Sequence, residues 1–140
     1  MNKDELQVFF ETYIPFNLFL GMKLVNLSDN LVTVMIPFRP EFIGDPRRPA
    51  LHGGVISTLL DTAGGGIAFS ALDWKKYALS TIDMRVDYLL PGRPEDIYAE
   101  ASVLRKGNRV IVTTMRAFHG SDRISIAEGR GVYNISRRTE

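Results

Sequence analysis

Residues 51–71 read LHGGVISTLLDTAGGGIAFSA, and this segment sets the architecture of the chain. Its larger apolar side chains recur at helical spacing, at Val55, Ile56, Leu59, Leu60, Ala63 and Ile67. Nearly all of the residues between them are small or apolar, which predicts a helix that is buried on most of its sides. The rest of the chain must then cover this helix.

The segments on either side of this helix alternate between strands and turns. The pattern predicts a short amphipathic helix over residues 3–13, a turn or helix over 14–20, strands over 22–27 and 31–37, and a proline-rich loop over 39–50. Strict alternation of polar and apolar residues predicts a strand over 81–88, and further strands are expected over 96–104, 109–118 and 123–135. One buried helix with five or six antiparallel strands implies a single α+β domain over residues 1–140. A long exposed sheet edge is expected to pair with a second copy of the chain.

The amino-acid composition argues against several classes of protein. Seventeen Lys and Arg against sixteen Asp and Glu give a net charge of +1, which does not suggest a nucleic-acid partner. The absence of cysteine excludes disulfides and thiolate nucleophiles, and no pattern of metal ligands is apparent. The polar start at residues 1–6 and the lack of a long apolar run favour a cytoplasmic protein without a membrane segment.

Asp61 is the one charged residue in the apolar helix. An unpaired carboxylate is costly to bury, so its place there needs an explanation. Its helical neighbours include Ser57, Thr58 and the run Gly64–Gly66, which leave room for a ligand or another subunit to approach. Each glycine costs a helix interior about 1 kcal/mol relative to Ala. The alternative is that the glycines mark a break in the helix and that Asp61 is solvated or caps a helix end.

His52-Gly53-Gly54 comes directly before the helix. Glycines let a ligand approach the main chain closely. The first amides of a helix have no intrahelical acceptor and carry the positive end of its dipole, so they could stabilise an oxyanion in acyl transfer. An ordinary glycine turn with a structural histidine is the alternative interpretation. The chain has neither a Gly-x-Ser-x-Gly elbow nor a phosphate-binding loop of the Gly-x-x-x-x-Gly-Lys type.

Leu51-His52-Gly53-Gly54 followed by Leu60-Asp61-Thr62-Ala63 resembles the central motif of the hotdog-fold thioesterases. Within them, the chain looks most similar to the PaaI-type (phenylacetate pathway) acyl-CoA thioesterases, and the resemblance runs over roughly residues 35–135. It implies a hotdog fold, in which an antiparallel sheet of five to six strands wraps around one long helix. It also implies hydrolysis of acyl-CoA thioesters with medium-chain or aromatic acyl groups, with coenzyme A as part of the substrate and no separate cofactor. A homodimer is implied too, assembled as a dimer of dimers with active sites at the dimer interface.

The resemblance also assigns roles to residues. Asp61 matches the family's general base or nucleophile, and Gly53 matches the glycine whose backbone N–H polarises the thioester carbonyl. Thr81 matches a position that orients the hydrolytic water, whereas His52, beside Gly54, supports the turn. Many relatives carry Asn or Gln in the loop before His-Gly-Gly. Residues 44–49 here contain no amide, and Asp45 is the nearest polar candidate.

The remaining candidates concern substrate binding. Basic residues that could contact the phosphates of coenzyme A are Arg47, Arg48, Arg93, Lys106 and Arg109, and Phe42 is a candidate for the acyl pocket. Gly54 and Asp45 are further candidates for contact with the substrate. Each charge could equally be a solvated surface residue. The missing loop amide leaves a second function open, a non-catalytic hotdog module that binds acyl-CoA as a sensor or scaffold. A hotdog hydratase is disfavoured because it would need a second motif histidine.

Overall fold

The computed structural model of the chain describes residues 1–139, and its longest helix, α3, spans Gly53–Ser70. The helix begins directly after His52, whose side chain accepts a hydrogen bond from the Gly54 amide as an N-cap. It continues without interruption through Gly64–Gly66, so the alternative of a helix break at these glycines is wrong. Half of its residues are buried, which confirms the prediction of a helix covered on most sides.

Within residues 1–139, eight strands accompany this helix: β1 Lys23–Ser28, β2 Leu31–Ile36, β3 Ile43–Asp45, β4 Ala50–Leu51, β5 Tyr77–Tyr88, β6 Ile97–Lys106, β7 Val110–His119 and β8 Ser125–Arg137. Six of them form one antiparallel sheet in the order β1-β2-β6-β7-β8-β5, and α3 packs on one face of this sheet. This arrangement confirms the predicted α+β hotdog fold. Strand β5 begins earlier than the alternation predicts because residues 77–80 pair with residues 134–137 of β8.

The loop over residues 39–50 is more regular than predicted. It contains a 3₁₀ turn at Pro40–Phe42, and β3 pairs with β4 in a small two-stranded sheet. The His52 amide donates to the Phe42 carbonyl and the Leu51 amide donates to the Gly92 carbonyl. The prediction of an irregular loop was therefore wrong in part, because contacts with a distant turn order a segment whose prolines disfavour regular structure.

The N-terminal segment lies across α3 and is built from three short helical pieces. These are α1 Lys3–Val8, a π-helical turn at Phe9–Tyr13 and α2 Pro15–Leu20. Asn2 and Glu5 start α1 with reciprocal hydrogen bonds. Pro15 lacks an amide hydrogen, so it ends the first run of hydrogen bonds and occupies the first position of α2. Among residues 1–139, none of the helices has the length and apolar character needed to cross a bilayer.

The core lies between α3 and the concave face of the sheet. Val32, Val34 and Ile36 alternate along β2 and are fully buried, and they belong to the same apolar cluster as Leu59 and Leu60 of α3. The period-2 pattern of the strands and the helical period of α3 thus direct their apolar faces toward each other. This packing fixes the position of α3, and with it the direction in which Asp61 points.

Strand β5 forms one edge of the six-stranded sheet. It pairs with β8 on one side, and no other strand of residues 1–139 pairs with its second side. Residues 80–83 are exposed, and Ile82 lies at a bulge with 59% of its surface accessible. A twelve-residue edge with exposed apolar side chains is a surface that soluble proteins usually cover.

Candidate active site

Asp61 lies near the middle of α3, and its partly buried carboxylate points toward β5 and β8. The Thr81 hydroxyl of β5 donates to Asp61 Oδ1 at 2.9 Å. The Tyr133 hydroxyl of β8 lies 3.3 Å from the same oxygen and 3.1 Å from the Asp61 carbonyl oxygen. No ion pair of Asp61 is found within residues 1–139. The carboxylate is thus held by neutral hydroxyl donors.

A mainly apolar groove of about 620 Å³ opens beside Asp61. Its aromatic and aliphatic walls come from Phe9, Phe10, Ile14, Phe16, Phe69, Leu79 and Met84. Asn17 of α2 also lines the groove; it is buried, and its Nδ2 has no hydrogen-bond partner within residues 1–139. The sequence pattern did not predict this wall, because an amphipathic pattern in residues 3–20 does not show which part of α3 it will cover.

The two glycine amides of the His52-Gly53-Gly54 turn, at the start of α3, differ in their hydrogen bonds. His52 Nδ1 accepts the Gly54 amide at 2.8 Å, so that amide has a partner. The Gly53 amide is the first of the helix and has no intrahelical acceptor. The Tyr88 hydroxyl donates to the Gly53 carbonyl at 3.1 Å, which fixes the turn against the end of β5.

Asp61 and Gly53 face different grooves of the same chain. Eight residues separate them along α3, which corresponds to about 12 Å at 1.5 Å per residue. Gly53 lines a second groove of about 440 Å³ together with Asp45, Arg48 and Tyr88, and Asp61 does not contribute to it. Within one chain, therefore, the Asp61 carboxylate and the Gly53 amide cannot both contact the same carbonyl group.

Asp45 is engaged by its own loop. The Arg47 guanidinium lies 3.1 Å from one carboxylate oxygen and the Arg48 guanidinium 3.2 Å from the other. The hydrogen bonds from Arg47, with a smaller effect of Arg48, hold the pKa of Asp45 below its usual range. Asp45 and Arg48 lie beside Gly53, whereas neither they nor Arg47 line the groove of Asp61.

The other residues that were predicted to contact the substrate lie outside the grooves of Asp61 and Gly53. Arg93 pairs with Glu95 at 2.6 Å and with Asp122 at 2.9 Å. Lys106 donates to a carbonyl at the C-terminal end of α3, and Arg109 is exposed. None of these three basic residues lines the groove of Asp61 or that of Gly53. Phe42 lines a third groove, of about 490 Å³, beside His52, Gly54 and Thr58.

Comparisons with known proteins show which family and fold this chain shares. A model of the thioesterase superfamily matches residues 49–126. The medium/long-chain acyl-CoA thioesterase YigI of Escherichia coli (strain K12) is 33% identical over 138 residues, covering 90% of this chain and 88% of YigI. A solved structure from Shewanella oneidensis, described as related to the thioesterase superfamily, is 35% identical; its TM-score is 0.85, with 95% of this chain and 94% of that chain covered. A thioesterase family protein from Silicibacter pomeroyi is 24% identical with a TM-score of 0.87, over 98% of this chain and 100% of that one, which shows the shared fold.

Proposed function

The chain belongs to the thioesterase superfamily and is a thioester hydrolase, and we propose that it acts on acyl-CoA thioesters with medium-chain or aromatic acyl groups. The observation that carries this proposal is the Asp61 carboxylate, held by Thr81 at the side of an apolar groove of about 620 Å³. Such a groove has the size and lining of a small-molecule site. The name of the 33% identical relative YigI supports the acyl-CoA class. Membership of the PaaI-type branch stays a prediction.

The proposed reaction uses the ionised carboxylate of Asp61. In the general-base route, Asp61 takes a proton from water while the water oxygen bonds to the thioester carbon. The carbon–sulfur bond then breaks, and the proton passes from Asp61 to the departing thiolate. In the nucleophilic route, Asp61 bonds to the carbonyl carbon first, and the carbon–sulfur bond breaks to release the thiolate of coenzyme A. Water then cleaves the resulting anhydride, which releases the free acid, restores the Asp61 carboxylate and supplies the proton that the thiolate takes up. Thr81 orients the carboxylate in both routes.

We further propose that each active site combines two subunits. The charge that develops on the carbonyl oxygen needs a donor, and the Gly53 amide at the start of α3 provides one. Because Gly53 and Asp61 of one helix are about 12 Å apart, the donor must come from Gly53 of the partner subunit. The free edge at β5 is the surface where a second copy can pair. A homodimer, arranged as a dimer of dimers in the cytoplasm, is part of this proposal.

The groove of Gly53 is the proposed entry for coenzyme A. Arg48 lies at this groove with most of its side chain exposed, and the side chain of the adjacent Arg47 is even more exposed. Both guanidinium groups can exchange part of their contact with Asp45 for a phosphate. Arg93 is already bound to two carboxylates, so Arg47 and Arg48 are the better candidates.

Hydrolysis of a panel of acyl-CoA thioesters tests the function. We expect turnover that falls by about 10²-fold or more in Asp61→Asn, because the amide cannot accept a proton from water. Wild-type turnover no faster than that of Asp61→Asn on every substrate would contradict the proposal. Tight binding of acyl-CoA without turnover would instead indicate a binding module.

Mixing of two inactive variants tests the shared site. In a mixed dimer of Asp61→Asn and Gly53→Pro, one of the two sites keeps an intact Asp61 and an intact Gly53 amide. Random exchange of subunits should therefore restore about one quarter of the wild-type activity. No recovery, after native mass spectrometry has confirmed that mixed dimers form, would contradict the shared site.

A further inference from the structure

Tyr133 is a buried side chain that no sequence pattern singled out. It lies on β8 with only 1% of its surface accessible, and its ring packs beneath α3. A Cβ atom on Gly64 would collide with the Tyr133 hydroxyl, and one on Gly131 would lie 2.6 Å from the ring. Two glycines, one on the helix and one on the strand, thus leave the space in which this phenol reaches Asp61.

The hydrogen bonds at Asp61 are unevenly distributed between its two carboxylate oxygens. Thr81 donates to Oδ1 at 2.9 Å, and the Tyr133 hydroxyl lies 3.3 Å from the same atom. No hydrogen bond to Oδ2 is present among residues 1–139. Resting on the proposed function of Asp61, we propose that Tyr133 is a positioning residue, which holds Oδ1 together with Thr81 so that Oδ2 is the oxygen that reacts.

The phenol has one proton and two acceptors within reach. The Asp61 carbonyl oxygen is nearer, at 3.1 Å, but it is a neutral acceptor inside a helix. The carboxylate carries a charge, and hydrogen bonds to charged acceptors are about twice as strong as those to neutral ones. The proton therefore goes to Oδ1 whenever the carboxylate is ionised.

Tyr133 remains a donor over the whole range in which Asp61 can act. Burial, and then the charge of Asp61, raises the pKa of the Tyr133 phenol above its usual range. The buried hydroxyl of Thr113, on β7, is the other polar group beside it.

No other titratable side chain lines the groove of Asp61 within residues 1–139. The N-terminal segment contributes aromatic and aliphatic side chains and Asn17, α3 contributes Ser57, Thr58 and Thr62, and β5 contributes Ser80, Thr81 and apolar residues. Tyr133 and Thr81 are therefore the side chains of this groove whose hydroxyls reach the Asp61 carboxylate. Loss of one of these two donors leaves Oδ1 less firmly held, so the carboxylate can turn away from the orientation in which Oδ2 reacts.

The experiment compares wild type with Tyr133→Phe, which keeps the ring and removes only the hydroxyl. We expect kcat to fall about tenfold with KM nearly unchanged, because the carboxylate is less well oriented while the groove that binds the substrate keeps its shape. Thr81→Val, which removes the second donor, should lower kcat in the same way. Tyr98→Phe is the matched control, since Tyr98 stacks on Phe118 away from the groove, and its kcat and KM should equal those of wild type.

A direct readout is the ¹³C chemical shift of the Asp61 carboxyl group at one fixed pH, assigned by its absence in Asp61→Asn. A changed chemical shift in Tyr133→Phe supports the proposal. An unchanged chemical shift and kcat, with only a lower thermal stability, would overturn it, because the hydroxyl would then serve the helix carbonyl alone. Equal turnover by wild type and Asp61→Asn would contradict the proposed function separately, since the carboxyl chemical shift measures the Tyr133 contact without any turnover.

Discussion

At the scale of single residues, the amide of Gly53 can be removed with little disturbance of the backbone. Gly53 is the first residue of α3, where proline is favoured because its missing N–H would be unpaired anyway. His52 has φ −61° and ψ 131°, the extended conformation that a residue before proline prefers. A substituent at position 53 would lie 3.3 Å from the Tyr88 ring, a tight but tolerable contact.

Gly53→Pro should therefore lower kcat about 10²-fold while the protein stays folded, since an oxyanion donor is lost. Gly53→Ala adds the same Cβ atom but retains the amide, and we expect it to keep most of the activity. Steady-state kinetics and circular dichroism on both variants check this. Equal loss of activity in the two would show that the Cβ atom, and not the amide, is responsible.

The pKa of Tyr133 also determines how the stability of the folded protein depends on pH. Its pKa in the folded state is raised above the ordinary value of 10.0, so the folded protein retains a proton that the unfolded chain loses. This contribution to stability is complete below pH 10 and declines above it, by up to about 1.4 kcal/mol per pH unit. Between pH 9 and 11.5, the free energy of unfolding measured in urea should fall less steeply with pH in Tyr133→Phe than in wild type. In Tyr13→Phe, in which an exposed ring is changed, the free energy of unfolding should fall as steeply as in wild type.

At the scale of elements, the glycines of α3 have different functions in packing. A Cβ on Gly64 would collide with Tyr133 and lie 2.7 Å from the Thr113 hydroxyl. A Cβ on Gly66 would lie 2.5 Å from the Phe10 ring of the N-terminal segment. At Gly65 the nearest atom, on the Tyr133 ring, would be at an ordinary 3.4 Å. Only two of the three positions thus require the absence of a side chain.

This difference gives a matched pair of variants. Gly64→Ala should lower the free energy of unfolding by about 1–3 kcal/mol, because it overfills a packed core. Gly65→Ala should raise it by up to about 1 kcal/mol, because alanine favours the helix and meets no obstacle. Urea unfolding at one fixed protein concentration measures both. Equal effects of the two substitutions would contradict this difference in packing between Gly64 and Gly65.

At the scale of the whole molecule, the proposed dimer depends on the edge at β5. Ile82 is 59% exposed on this edge, and Ile124, 56% exposed, directly precedes β8. Ile82→Lys should convert the proposed dimer to a monomer and remove activity in parallel, since the proposed site needs two chains. Ile124→Lys should remain dimeric and active. Analytical ultracentrifugation with activity measurements tests both, and a fully active Ile82→Lys monomer would contradict the shared site.

Much of the fold follows from local patterns in the chain. The helical spacing over residues 51–71 predicted α3, and the alternation from Thr81 to Tyr88 predicted most of β5. Both signals are strong because each element has one consistent apolar face. The short pairing of β3 with β4 was not predicted, since it depends on hydrogen bonds to Phe42 and Gly92 rather than on its own residues.

The candidate site also contains residues that the sequence predicts and residues that only the tertiary structure identifies. Asp61, Gly53 and Thr81 were singled out from residue types and from a family resemblance, and the fold brings Thr81 onto Asp61. Tyr133, Asn17 and the aromatic wall could not be found from the sequence. They lie far from Asp61 in the chain, and only the pairing of β8 with β5 and the path of the N-terminal segment bring them close. Sequence periodicity reports which face of an element is apolar, whereas the neighbours of that face depend on long-range packing.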